Sequence, residues 1–488
     1  MNAPVSIEKQ SDEMQSAPLL PRPLAIKTFD GLQGGLLLRP WYDWCAVRAI
    51  VNWYFPLSRA WAAALESQGD LEIFNRILGT RFGNSVRMRA ALEQTIVAAR
   101  ACSTNQQQWE EAFFGGGTWS EMDLVATEVE RQILSKRLMF CRRSFLPWRG
   151  KFPKLQWSIQ SPEELERRHG ERLRRSDTAF DAPVLPDFEV SRMVCGQWDA
   201  DSGYRQYWLR FPSLISANGS RAATDAGSDE RNRAWAKVYE PEDGATDAPC
   251  LIFLHGIGME TDFWGEMTDP VNMLTKKGFR VIRPEAPWHG HRRSAGSFGG
   301  EPVIAQGPLG FVELFHASVC EVAQLTEWAR RTGSSKVAVG GLSLGALTAQ
   351  IVAAQARNWV AERQPDNLLL VTTSENMLDV ALQGSMARLL DMPERFDEAG
   401  WTELELTRWT PLLEPHGDPV MAPGRIVMLL GQSDDLTPYP GGVSLMQRWR
   451  VPDANVFHRK QGHFSASLGL YRDPSVLERL TEIMWHSD

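Results

Sequence analysis

Gly341-Leu342-Ser343-Leu344-Gly345 is the segment of this chain best suited to do chemistry. It follows the apolar run Val337-Ala338-Val339 and precedes a segment rich in Ala and Leu. That is the strand–turn–helix setting of a nucleophile elbow, where a sharp turn lifts a serine hydroxyl above the end of a sheet. The turn strains the serine backbone, and small residues two before and two after it relieve the crowding. A hydroxyl is a weak nucleophile and needs a base oriented by an acid. On this architecture the three follow one another as Ser, acid, His. Beyond the expected strand Arg425–Leu430, the run Gly431-Gln432-Ser433-Asp434-Asp435-Leu436-Thr437-Pro438 supplies the acid. Asp434 is the first choice and Asp435 stays open. Glu375 and Asp379, after the expected strand Leu368–Thr372, offer a second place for it. Beyond the expected strand Asn455–Arg459, Gly462-His463-Phe464 places His463 as the base.

A tetrahedral oxyanion needs backbone N–H donors. Leu344, directly after the nucleophile, is one. The loop Leu254-His255-Gly256-Ile257-Gly258-Met259 ends another buried strand, and there Ile257 is the expected donor, with Gly258 second. The chemistry is then acyl transfer. Ser343, Asp434 and His463 are the expected catalytic residues, and a small-molecule carboxylic ester is the default substrate. A thioester or amide hydrolase, an acyltransferase and a non-catalytic binding protein of the same fold are the alternatives. No metal and no organic cofactor is expected.

These motifs, in this order, resemble the α/β-hydrolase superfamily over roughly residues 190–488. Three further features are similar to the α/β-hydrolase domain-containing branch first catalogued as a domain of unknown function. They are Pro284-Glu285-Ala286-Pro287-Trp288-His289-Gly290-His291-Arg292-Arg293, Trp264, and Gly462-His463-Phe464-Ser465-Ala466. The resemblance implies a mostly parallel sheet of about eight strands covered by helices, a Ser–Asp–His triad and ester-type hydrolysis. His255, Trp264, His289 and Arg292 are possible substrate-binding residues. Arg292 or Arg293 suits a carboxylate-bearing substrate, although a loop held by hydrogen bonds is the stronger expectation. His289 and His291 lack a third ligand at useful spacing, so no metal is expected there.

The elements that must position these residues alternate β and α after about residue 186. Expected strands are Tyr204–Phe211, Asn232–Tyr239, Cys250–Leu254, Phe279–Arg283 and Lys336–Gly340, then the three named above. Expected helices run from about Leu309 to Arg331 and from the elbow through Ala356. Before that point the chain reads as a flexible arm over 1–35 and a helical region over 36–185, with helices Asn84–Cys102 and Trp119–Cys141 split by Gly115-Gly116-Gly117. The stretch 375–422 sits between two core strands, where a lid is expected.

The chain has 488 residues and a net charge of -8, which argues against a dedicated nucleic-acid binder. Within it, residues 136–175 hold twelve Lys/Arg against four Glu. Weak contact with a membrane or another anionic surface is one reading of that segment. A solvated charged face, with some pairing to the acidic body of the protein, is the stronger one. Trp41, Trp44, Trp53 and Trp61 leave a homo-oligomer surface open. The six cysteines lie far apart with no CxxC, and the N-terminus lacks a signal pattern, so a cytoplasmic location is expected.

Overall fold

The computed structural model describes residues 19–20, 32–83, 85–199, 201–214, 233–244, 246–258 and 271–486. Among these, the short apolar runs assemble into one ten-stranded sheet. The strands are β1 Glu189–Val190, β2 Val194–Gln197, β3 Gly203–Pro212, β4 Arg233–Pro241, β5 Cys250–Leu254, β6 Arg280–Pro284, β7 Val337–Leu342, β8 Asn367–Val371, β9 Ile426–Gly431 and β10 Val456–Arg459. Their spatial order is β1-β3-β4-β6-β5-β7-β8-β9-β10, with β2 also on β3. From β6 to β10 every pairing is parallel, while β1, β2 and β4 run antiparallel to β3, and β4 antiparallel to β6.

The eight expected strands are all present, each within two residues at its ends. The two additional ones, β1 and β2, lie along the same edge of β3, at Leu209–Arg210 and Gly203–Gln206. They behave as one edge strand broken at Ser191, where the serine hydroxyl accepts from Trp208 N–H and Arg192 N–H turns to Phe113. Segments of two and four residues carry too little alternation to be read from sequence.

Every residue of β5, β8 and β9 is buried. Strands buried on both faces read as continuous apolar runs because helices cover both sides of a parallel sheet. Helix Pro308–Arg331 is itself buried nearly throughout. A helix buried all round needs a further layer over it, and the N-terminal region supplies that layer. His169 Nε2 lies 3.3 Å from Glu313 Oε1, and the Cys320 thiol points to Phe180 O.

That region is helical as expected: Pro40–Ala49, a π-helical turn Ile50–Tyr54, Phe55–Glu66, Leu71–Leu78, Val86–Phe114, Glu121–Phe140, a 3₁₀ stretch Cys141–Lys151, and Pro162–Arg174. Asp70, Ser120 and Ser161 cap three of these with side-chain oxygens. Helix Val86–Phe114 outruns its expected end at Cys102. Its last turns are polar except for Trp109, Ala112, Phe113 and Phe114, which pack under β3 and β4. A short helix, Leu32–Leu37, begins inside the expected arm, and Leu20 N–H bonds Cys195 O. The rest of the arm, the loop Ser216–Asp229 and Trp264 lie outside the described residues.

In the basic segment 136–175 the charges of helix Pro162–Arg174 pair mainly at home. Arg167 and Arg168 share Glu164, Arg175 meets Glu171, and Arg174 meets Glu166. Trp41, Trp44 and Trp53 are exposed, whereas Trp61 is buried. Among the described residues no helix is long and apolar enough to cross a membrane.

Candidate active site

Ser343 ends β7 and starts helix Leu344–Gln355, with φ 57° and ψ −120°. A non-glycine residue at positive φ is costly and persists where the surroundings over-determine it. Here Ser343 N–H bonds Val371 O at the end of β8, and the flanking glycines are packed on backbone. A Cβ at Gly341 would fall on Gly345, and one at Gly345 on the Leu254 carbonyl. Trp288 (φ 63°) and Thr372 (φ 50°) are strained in the same way. All three lie at or just beyond the C-terminal ends of β6, β7 and β8.

The acid and base meet one another. Asp434 follows β9, and His463 opens helix His463–Leu468 beyond β10. Asp434 Oδ2 lies 2.8 Å from His463 Nδ1. The other carboxylate oxygen accepts the N–H groups of Leu436 and Thr437, each at 3.0 Å. Thr437 completes the arrangement. Its hydroxyl lies 2.9 Å from Asp434 Oδ2, 3.1 Å from His463 Nδ1 and 3.1 Å from the carbonyl of Thr372. Thr372 directly follows Val371, the partner of Ser343 N–H. Its hydroxyl is 3.5 Å from Ser467 on the helix of His463. The strained end of β8 thus links the serine strand to the Asp–His pair.

Asp435 is exposed and makes no such contact; its carbonyl accepts Ser385 N–H. Glu375 is held by Arg448 and Ser444. Asp434, and not Asp435 or Glu375, is the carboxylate paired with His463. Ser343, Asp434 and His463 are all buried, at 8%, 6% and 3% exposure.

On the other side of the serine, Gly256 packs so closely that a Cβ there would sit 3.6 Å from Ser343 Cβ. This brings the loop after β5 against the nucleophile. Gly258 N–H points to His289 Nε2 at 3.3 Å, which leaves Ile257 as the open candidate for an oxyanion donor beside Leu344. His289 Nδ1 meets Pro287 O at 2.9 Å. A carbonyl only accepts and an amide N–H only donates, so His289 is the neutral Nδ1–H tautomer. His255 is fixed alike, between Gly256 O at 2.7 Å and Ala286 N–H at 3.0 Å. Both rings hold backbone in place. Arg292 is buried and bidentate on Glu321, with further bonds to Ser213 and Glu285 O. These bonds engage it inside the fold. The reason lies in helix Pro308–Arg331, whose buried Glu321 needs a cation.

A model of the alpha/beta hydrolase family matches residues 251–474, the stretch that holds Ser343, Asp434 and His463. Over those residues the chain is similar to that family, and its fold is the α/β-hydrolase fold. Among solved structures, an acetyl xylan esterase from Paenibacillus sp. R4 is 14% identical with a TM-score of 0.44, covering 68% of this chain and 96% of that one. Acetyl xylan esterase 1 from Thermoanaerobacterium sp. JW/SL YS485 is 18% identical with a TM-score of 0.40, covering 64% and 96%. No curated protein matches.

The N-terminal helices reach the end of the sheet that carries Ser343 and His463 through Tyr54 and Asp43, among other contacts. Tyr54, in the π-helical turn, directs its hydroxyl at Gly258 O (3.5 Å) and packs edge-on against Phe298. Asp43 is buried and accepts from Phe464 N–H at 2.5 Å, from Ser465 N–H at 2.9 Å, and from the Ser465 hydroxyl. It therefore caps the helix that His463 begins. Deeper in, Arg59 pairs with Glu301 at 2.8 Å, and Glu301 also accepts Gln156 and Phe298 N–H. Sequence reasoning missed Asp43, Tyr54 and Thr437. Only Thr437 left a local signal: an Asp with Thr three residues on is a common side-chain-capped turn.

Burial pushes the His255 imidazole down to about 4 and that of His289 to about 3. The unfolded residues titrate near 6.5. Below that pH the unfolded chain takes up protons the folded one refuses, so the stability these two histidines contribute is lost as pH drops from about 6.5 towards 4 for His255 and 3 for His289, and is fully present above. His289→Gln, which keeps an acceptor for Gly258, should show a shallower fall in Tm over this window. Parallel curves for the two proteins would remove His289 from the explanation.

Proposed function

We propose that this protein is a serine hydrolase that cleaves a carboxylic ester through an acyl-enzyme on Ser343. The observation that carries the reading is the buried Asp434–His463 pair, tied through Thr437 and Thr372 to the strand end that presents the strained Ser343. In the mechanism, His463 takes the proton of the Ser343 hydroxyl as the oxygen attacks the ester carbonyl. Asp434 fixes the tautomer with Nδ1–H and stabilises the imidazolium that forms. Because Nδ1 faces the carboxylate, Nε2 is the atom that exchanges the proton. The N–H groups of Leu344 and Ile257 stabilise the tetrahedral oxyanion. His463 then protonates the leaving alcohol, and water, activated by the same histidine, deacylates the enzyme.

The role of 375–422 as a lid belongs to the same proposal. Helix Ser385–Leu389 of that insertion packs near helix Pro40–Ala49, so the insertion and the N-terminal extension meet beside the helix of His463. With the triad this deeply covered, substrate entry requires the two to part.

A panel of p-nitrophenyl esters of rising acyl length tests the reading. Saturable hydrolysis of at least one ester is expected, with activity lost in His463→Ala. Turnover that survives in His463→Ala at the parent rate would overturn it.

A further inference from the structure

Helix Pro40–Ala49 runs through the π-helical turn Ile50–Tyr54 into helix Phe55–Glu66. The inner stripe of this run is Asp43, Val47 and Val51, all buried. The outer stripe holds Trp41, Trp44 and Arg48, which share one face at i, i+3 and i+7. An α-helix turns about 100° per residue, which would carry Trp53 well round from that face. The π-helical turn advances less per residue and swings Trp53 back towards it. Trp41, Trp44 and Trp53 are 52%, 58% and 52% exposed, and Leu36 on the preceding helix is 73% exposed. Large apolar groups gathered on one exposed face mark an interaction surface. Cations accompany the rings. The Arg48 guanidinium lies 3.8 Å over Trp44, and that of Arg149, from the 3₁₀ stretch Cys141–Lys151, lies 4.8 Å over Trp53. Arg39, Arg143, Arg149 and Lys151 are exposed. Between residues 32 and 65 the only acidic residue is Asp43, which is turned inward onto Phe464 and Ser465. Between residues 136 and 162 there is none.

Two copies meeting face to face through this surface would set arginine against arginine. An anionic lipid surface complements both of its parts. Tryptophan, with an apolar body and one N–H, settles at the headgroup level of a bilayer. Arginine forks match lipid phosphates, and anionic lipids draw them in. We propose that this face of the N-terminal extension binds an anionic membrane surface, with Trp41, Trp44 and Trp53 entering the headgroup region. The helix lies on the bilayer and does not span it. Its inner side caps the helix of His463 through Asp43, and it packs near helix Ser385–Leu389. Membrane contact therefore falls beside the place where the 375–422 insertion and the extension meet. The proposal does not rest on the serine-hydrolase reading, since its test is binding and not turnover.

The test is co-flotation of the full chain with two kinds of vesicle, at low and at physiological salt. One is phosphatidylcholine alone, and the other is phosphatidylcholine with about one-third phosphatidylglycerol. Binding to the anionic vesicles is expected to be at least about tenfold tighter than to the neutral ones, and to weaken as salt rises. Trp44→Gln combined with Trp53→Gln should weaken it at least about tenfold, as should Arg48→Glu combined with Arg149→Glu. Arg167→Glu, on helix Pro162–Arg174, should leave it within about twofold. Thermal melts show that each variant is folded, and Trp41→Gln alone, the milder change, should weaken binding about threefold. The proposal fails if the parent floats with neither vesicle or equally with both. It also fails if the folded tryptophan and arginine variants float as the parent does, or if Arg167→Glu weakens flotation as much as the tryptophan pair. Light scattering tests for a second copy on the same face. A dimer that Trp44→Gln with Trp53→Gln dissolves, in a protein that ignores vesicles, overturns the membrane assignment.

Discussion

Ser343→Ala is expected to abolish covalent labelling by a fluorophosphonate probe and to cut ester hydrolysis by about 10⁴-fold or more. The size of the effect follows from the role. In the proposed mechanism the serine oxygen is the attacking atom, so its loss leaves only binding and the oxyanion donors. Stability should change little, because alanine at φ 57° meets the same backbone cost that serine already bears. A double change with His463→Ala should be no worse than the single one, since the two residues act as a unit. Full labelling of Ser343→Ala would sink the assignment of the nucleophile.

The second large effect is expected far from the elbow in sequence. Asp43→Ala should lower kcat by about 10- to 100-fold while KM moves little. Asp43 holds the N–H groups of Phe464 and Ser465 and the Ser465 hydroxyl at the first turn of the helix that begins with His463. Without it, buried donors are left unsatisfied at a cost of about 1–3 kcal/mol, and the turn can relax. A shift of about 1 Å in the imidazole is enough for such a loss in rate. Asp43→Asn keeps an acceptor oxygen and should recover part of the rate. A purely structural role would lower Tm in Asp43→Ala and leave kcat of the folded protein unchanged, and that outcome would detach Asp43 from catalysis. The same variant probes the N-terminal extension, because Asp43 belongs to it and holds the helix that His463 begins.

The central strands were legible because a parallel strand is buried on both faces, so its sequence is an unbroken apolar run that stands out from its surroundings. β5, Cys250–Leu254, matches its expected bounds residue for residue. The two edge segments β1 and β2 were not legible. They are short, and what holds them is the free edge of β3, which no local pattern announces. The end of helix Val86–Phe114 was hidden for a related reason: its polar last turns are kept helical by Trp109 and Phe113 packing on strands about 100 residues away.

The candidate site divides along the same line. Ser343, Asp434 and His463 each follow a recognisable strand, so their order and type could be read along the chain. The chemistry they suit is a property of those residues and of the Gly-x-Ser-x-Gly turn, whose glycines are required by contacts within a few residues and with one neighbouring strand. Tertiary structure alone brings Asp434, and not Asp435 or Glu375, to the imidazole of His463 among the described residues. It also decided that Arg292 is locked onto Glu321, that Gly258 N–H is turned to His289, and that Asp43 caps a helix more than 400 residues further on. Local sequence encodes backbone preference and burial period, which are short-ranged. Which polar groups meet is fixed by strand order and helix packing, and those exist only once the chain has folded.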